Sequence, residues 1–140
     1  FARFLVDTGH ARDVKDAFKR FLTPGKPGYV PHAWASLPDA LSWIRAAGGD
    51  AVIAHPGRYK LAAADMRRLQ AEFRDGGGAA IEVLSSSHTP AQNGEYTTLA
   101  RVFGLKGSCG SDYHGPGESW MEFGELPPLP AGTTPVWSDW

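Results

Sequence analysis

The sequence predicts a parallel α/β fold, and three observations carry that expectation. Short, almost wholly apolar runs at about residues 51–54, 79–84 and 105–111 read as strands buried within a parallel sheet. Stretches with the apolar spacing of amphipathic helices lie between them. Glycines close a helix ahead of each strand, at Gly48-Gly49, Gly76-Gly77-Gly78 and Gly104. Strand, helix, strand, helix, strand is the order that parallel crossover connections produce.

Taken in order, the chain opens on Phe1, Phe4 and Leu5 at helical spacing, without a methionine, and Gly9 stops this first helix. An opening already in mid-helix suggests the C-terminal portion of a longer protein. A second helix is expected over about 13–22, with Val14, Ala17, Phe18 and Phe21 as its apolar stripe. The segment from Thr23 to Pro31 holds three prolines and two glycines, so it reads as a loop with extended pieces. Ser36, with Asp39 three residues on, starts a third helix in a capping-box arrangement, with Leu41 and Ile44 facing inward. A helix over about 63–74 follows the first strand, with Leu61, Met66, Leu69 and Phe73 as apolar positions. Another, over about 94–103, precedes the third strand. The tail from Gly115 is rich in Pro and Gly and carries Trp120, Phe123, Trp137 and Trp140. It is expected to wrap over the sheet and bury its tryptophans. Two regions emerge: 1–50, helical with a Pro/Gly-rich loop, and 51–140, the strand-bearing part.

At 140 residues, 42% hydrophobic and 21% charged, the composition is that of a globular chain with enough apolar material for a core. A net charge of -1 announces no polyanion-binding surface, so any nucleic-acid contact must be local. The single cysteine, Cys109, excludes an internal disulfide and a Cys-rich zinc module, which suits a reducing cytoplasm; within the third strand it reads as a small buried apolar residue. No apolar stretch reaches membrane-spanning length. Gly-x-Ser-x-Gly and the P-loop lysine signature are both absent.

Ligands of parallel α/β folds sit at the carboxyl ends of the strands, where the loops cluster. Here those ends read His55-Pro56-Gly57-Arg58-Tyr59-Lys60, Ser85-Ser86-Ser87-His88 and Asp112-Tyr113-His114. Asp112 and His114, two residues apart on extended backbone, would project to one side and could grip one divalent cation. With His55 they make a plausible donor set for Zn²⁺, Mn²⁺ or Fe²⁺. Arg58 and Lys60 beside His55 would add the positive charge that an anionic substrate such as a phosphate needs. His88 reads as a cap for the next helix, Glu82 as a structural partner within its strand or a group that supports a metal ligand without being one, and His10 and His32 as surface residues.

Ala54-His55-Pro56-Gly57-Arg58-Tyr59 after an apolar strand, with Gly110-Ser111-Asp112-Tyr113-His114, resembles the polymerase-and-histidinol-phosphatase superfamily of metal-dependent phosphoesterases. Gly25 to Pro31 and Ala47 to Pro56 resemble its bacterial group of nucleoside bisphosphate phosphatases and exoribonucleases. The resemblance implies the C-terminal part of a distorted (β/α)₇ barrel with a small helical insertion. It implies a divalent metal cluster, usually Mn²⁺ with Mg²⁺, Zn²⁺ or Fe²⁺ as alternatives, and hydrolysis of phosphate esters on nucleotides or short RNA. His55, Asp112 and His114 would be the metal-ligating and catalytic residues. The family's His-x-His and later His and Glu ligands have no counterpart in the chain. A non-catalytic truncated module is therefore the rival expectation, and a histidinol-phosphate type of phosphatase a third.

Overall fold

A computed structural model describes residues 1–116 and 121–140. Trp120 lies outside the described residues. Two compact units divide between Ala35 and Ser36.

The first unit holds α1 (Ala2–Asp7), then α2 (Val14–Ala17), which runs on as a wider π turn over Phe18–Leu22. Asp13 caps α2 by accepting the Asp16 N–H, and Gly9 takes the positive φ that ends the first helix region. Leu5, Ala11 and Ala17 form this unit's small core. Val14 and Phe18, expected on the buried stripe, are exposed, because the four-residue α2 has only Ala17 facing that core.

The second unit begins with α3 (Leu37–Ala46), capped by Ser36, whose Oγ accepts the Asp39 N–H at 3.2 Å. Three parallel strands follow in the order β1 (Val52–Ile53), β2 (Ala80–Ser85), β3 (Lys106–Gly110), with β2 central. The crossovers run through α4 (Ala63–Asp75) and α5 (Pro90–Phe103). This is the parallel α/β architecture expected from the strand and glycine pattern. Leu41 of α3 is buried with Ile53, Phe73, Ile81, Val83 and Leu99, so α3 packs with the strands, ahead of the 50/51 boundary read from composition. Ile44, expected inward, is exposed.

All six residues of β2 are buried, as a doubly covered central strand requires. β1 is different: Ile53 is buried but Val52 is exposed, because β1 is the sheet edge among the described strands. Between β2 and β3 the register slips after Glu82, leaving Val83 as a bulge.

The helix α5 starts four residues earlier than its apolar spacing suggests. Thr89 and Gln92 form a reciprocal capping box, Thr89 N–H donating to Gln92 Oε1 at 2.8 Å and Gln92 N–H to Thr89 Oγ1 at 3.3 Å, and Pro90 occupies the first turn. Thr89→Ala is expected to cost about 1 kcal/mol, read as a lower urea midpoint with unchanged slope. Leu61, placed by periodicity on α4, lies exposed ahead of it, while Gln70 takes a fully buried position on that helix.

The tail does lie along the outer edge of β3: Gly107 N–H donates to Thr134 O at 2.8 Å, and Val136 is buried. The two described tail tryptophans do not go inside. Trp137 is exposed and Trp140 is 82% exposed, its indole N–H donating to Asp50 at 3.1 Å. Leu126, Leu129 and Val136 are the tail residues that meet the core instead. Among the described residues, no helix is long and apolar enough to cross a membrane.

Candidate functional site

The carboxyl ends of β1 and β3 flank the central strand, and each carries a residue with unusual backbone. His55 has φ 31 and Asp112 φ 52, and no other described non-glycine residue has a positive φ. A left-handed conformation costs a β-carbon-bearing residue of order 1 kcal/mol, and such positions cluster where a side chain must be aimed at a ligand. Asp112 is thus off the extended path expected of it, since β3 already ends at Gly110. His114 nevertheless turns back on it. Its Nδ1 donates to the Asp112 carbonyl at 2.6 Å and stands 3.9 Å from Oδ1. A carbonyl only accepts, so Nδ1 is the donor in this contact.

The loop after β1 is a single 3₁₀ turn, Pro56–Arg58, closed by Arg58 N–H to His55 O at 3.0 Å. From it Arg58 Nη1 reaches Asp112 Oδ2 at 2.8 Å, joining the first and third strand ends. Asp112 is the sheltered partner, 19% exposed, and Arg58 the solvated one. Lys60 is exposed just beyond.

Glu82, which the sequence offers as a structural partner or a support for a metal ligand, takes up a place beside His55. It sits on the buried central strand, and its Oε2 accepts the His55 backbone N–H. Its other oxygen lies against Gly110, where only a glycine leaves room for the carboxylate. Burial first, and the Asp112 charge second, push its carboxyl above the usual carboxylate value, while the His55 contacts pull the other way. A raised carboxyl favours the protonated fold, and the contribution is lost as pH climbs through the folded value. Glu82→Gln, which mimics the protonated acid, is therefore expected to raise Tm at neutral pH while weakening the site, checked by paired calorimetric melts and activity assays. No change in Tm would show the burial penalty to be absent.

His88 does not cap α5; Thr89 does. Instead its Nε2 accepts the Gly57 N–H at 3.1 Å. His10 and His32 are exposed, as expected, and Cys109 is half-buried against the core, its thiol pushed up first by burial and then by Glu82.

The donor chemistry suits a divalent cation: imidazoles and carboxylates at one rim, with His55 Nδ1 buried and lacking a hydrogen-bond partner among the described residues. Yet among the described residues no three His, Cys, Asp or Glu side chains converge closely enough to hold one. Arg58, paired with Asp112, and Glu82, beside His55, are what the structure does bring together.

These features define an α/β chain with a charged, His- and Asp-bearing rim at its strand ends. Comparison with known proteins gives that class particular relatives. The chain is 48% identical over 139 residues to a 3',5'-nucleoside bisphosphate phosphatase of Chromobacterium violaceum, covering 99% of this chain and 49% of that protein. It is 46% identical to the 5'-3' exoribonuclease Rnm of Salmonella typhimurium, over 100% of this chain and 47% of that one. Among solved structures, a C. violaceum amidohydrolase with bound sulfate and no metal superposes with a TM-score of 0.80 at 48% identity, over 97% of this chain and 47% of that one. A Bifidobacterium adolescentis protein provisionally described as a metal-dependent phosphoesterase superposes at 0.69 and 26% identity, over 89% of this chain and 44% of that one. No family model matches the chain. The chain spans about half the length of the curated relatives it matches, corresponding to their C-terminal part. The resemblance to the polymerase-and-histidinol-phosphatase phosphoesterases is borne out over that part.

Proposed function

We propose that the chain is the C-terminal part of a metal-dependent phosphoesterase that hydrolyses phosphate esters of nucleotides or of RNA 5' ends. The observation that carries this reading is the Arg58–Asp112 pair, 2.8 Å across the ends of β1 and β3, beside the left-handed His55. The names of the relatives, a bisphosphate phosphatase and an exoribonuclease, support it.

His55, Asp112 and His114 are the proposed metal ligands on this chain, with the remaining donors supplied from outside these residues. Mn²⁺ is the ion that the family resemblance implies, and this mixed nitrogen and oxygen set would also take Zn²⁺ or Fe²⁺. A divalent cation bound there supplies Lewis acidity toward phosphoryl oxygens and makes water a nucleophile at neutral pH. Glu82 holds the His55 backbone N–H and so fixes the backbone from which that imidazole projects. Arg58, the solvated partner of Asp112, exchanges the carboxylate for a substrate phosphate, whose oxygens its planar fork matches, and exposed Lys60 adds a second positive charge. A cytoplasmic setting accords with the free thiol of Cys109.

One observation favours a second reading: the absence of a three-donor cluster among the described residues, which suits a module inactive by itself. A substrate panel on the full-length gene product tests the proposal, and the same panel on the chain alone tests the second reading. Phosphate or nucleotide release by the full-length gene product is measured on a nucleoside 3',5'-bisphosphate, a short 5'-phosphorylated RNA and histidinol phosphate, each with Mn²⁺, Mg²⁺, Zn²⁺ or Fe²⁺. Metal-dependent turnover of either of the first two is expected. Turnover of histidinol phosphate alone, or of none, overturns the proposal.

A further inference from the structure

We propose that His88 is a positioning residue whose imidazole, with the Gln92 amide, clamps Gly57 and thereby sets the backbone from which Arg58 meets phosphate. The inference rests on the reading of Arg58 given above.

The turn carrying Arg58 needs an anchor that its own ion pair does not provide. The Arg58 side chain is more than half exposed, and pairs with a solvated partner are worth about 0–1 kcal/mol, too little to hold a loop. The firmer contacts come from β2 and from the start of α5. Glu82 holds the N–H of His55 on one side of the turn. On the other, His88 Nε2 accepts the Gly57 N–H at 3.1 Å across 31 positions of sequence, and Gln92 Nε2 approaches Gly57 O at 3.5 Å. Gly57 thus has both backbone groups facing one pair of side chains.

The fit is close on every side. A β-carbon at Gly57 would stand 2.7 Å from His88 Cδ2 and 2.9 Å from Gln92 Nε2, so glycine is what lets the two side chains reach the backbone. His88 is itself held: its N–H donates to Ser85 O at 3.0 Å, and its ring lies 5.0 Å from that of Tyr96, a buried residue of α5. Gln92 is held too, because its Oε1 serves the capping box at Thr89 while its amide nitrogen faces Gly57. Burial also lowers His88 below the usual imidazole value, which keeps a lone pair on Nε2 for the Gly57 N–H. The end of β2 thereby fixes the loop after β1, immediately before the residue that reaches Asp112.

The test uses the full-length gene product with His88→Ala, His88→Gln and Arg58→Ala. His88→Ala is expected to speed hydrogen exchange at the Gly57 amide and to raise KM for a nucleoside 3',5'-bisphosphate by roughly 10-fold, with a smaller change in kcat. It should weaken binding of inorganic phosphate to the metal-free protein in parallel. His88→Gln, whose amide oxygen can accept the same N–H, should restore most of each. Should His88→Ala fail to fold, Gly57→Ala displaces the same two side chains and is expected to raise KM likewise. Unchanged KM or unchanged Gly57 exchange in the folded variant, or no rescue by glutamine, overturns the clamp. If Arg58→Ala raises KM in that case, the phosphate role of Arg58 survives. If Arg58→Ala leaves KM unaltered, that role fails and the clamp fails with it.

Discussion

Asp112→Ala, or His55→Ala, is expected to reduce metal-dependent phosphate release by the full-length gene product by more than roughly 100-fold. The magnitude follows from a comparison: groups that merely support a metal ligand are worth roughly 10-fold to 100-fold, so removing the ligand should exceed that range. Each residue is also held in a conformation that alanine would have little reason to keep. His55 and Asp112 carry positive φ values of 31 and 52, and Asp112 is tied to Arg58 at 2.8 Å. On the proposed reading, loss of Asp112 removes a metal donor, and it releases the guanidinium that the carboxylate orients. Asp112→Asn separates the two effects, because the amide keeps the shape and an oxygen but loses the charge. An alanine variant that retained full activity, with its fold intact by circular dichroism, would remove these residues from the reaction.

Ile81→Ala is expected to be the most damaging change remote from the rim, costing about 2–5 kcal/mol in urea unfolding. Ile81 is fully buried on the central strand and belongs to the cluster shared with Leu41, Ile53, Phe73 and Leu99. Elements packed on both faces of a sheet leave little freedom to collapse into the void, so the transfer and cavity costs add. Against a domain stability of about 5–15 kcal/mol, that is a large share. The neighbouring Glu82 and the bulge at Val83 depend on the same strand, so activity should fall with stability. A change below about 1 kcal/mol would mean that the sheet relaxes more freely than its burial implies.

The strands were legible because a doubly covered parallel strand has almost no polar residues, and residues 79–84 satisfy that with Glu82 as the lone exception. That exception was the informative residue. One carboxylate in an apolar run has no spacing signal, and its partners, the His55 N–H and the face of Gly110, are set by sheet register. His88 escaped for the same reason, since its contact at Gly57 lies 31 positions away. The start of α5 was readable in principle from Thr89-x-x-Gln92 with Pro90 between, but the serines before it favoured a loop. The tail misled in another way: its tryptophans advertise burial, whereas Trp137 and Trp140 are exposed, Val136 is buried, and Leu126 and Leu129 pack partly buried against the core. His55, Arg58 and Asp112 were candidates in the sequence because each lies in a loop beyond a strand end, where the ligand-binding residues of parallel α/β folds collect.

The central claim is that the strand-end rim bearing His55, Asp112 and His114 holds a divalent cation beside a phosphate-binding arginine. Calorimetric titration of Mn²⁺ into the metal-free full-length gene product, wild type against His55→Ala and Asp112→Ala, tests it most directly. The account predicts saturable, stoichiometric binding by the wild type and fewer or weaker sites in each folded variant. Identical isotherms for all three proteins would contradict it.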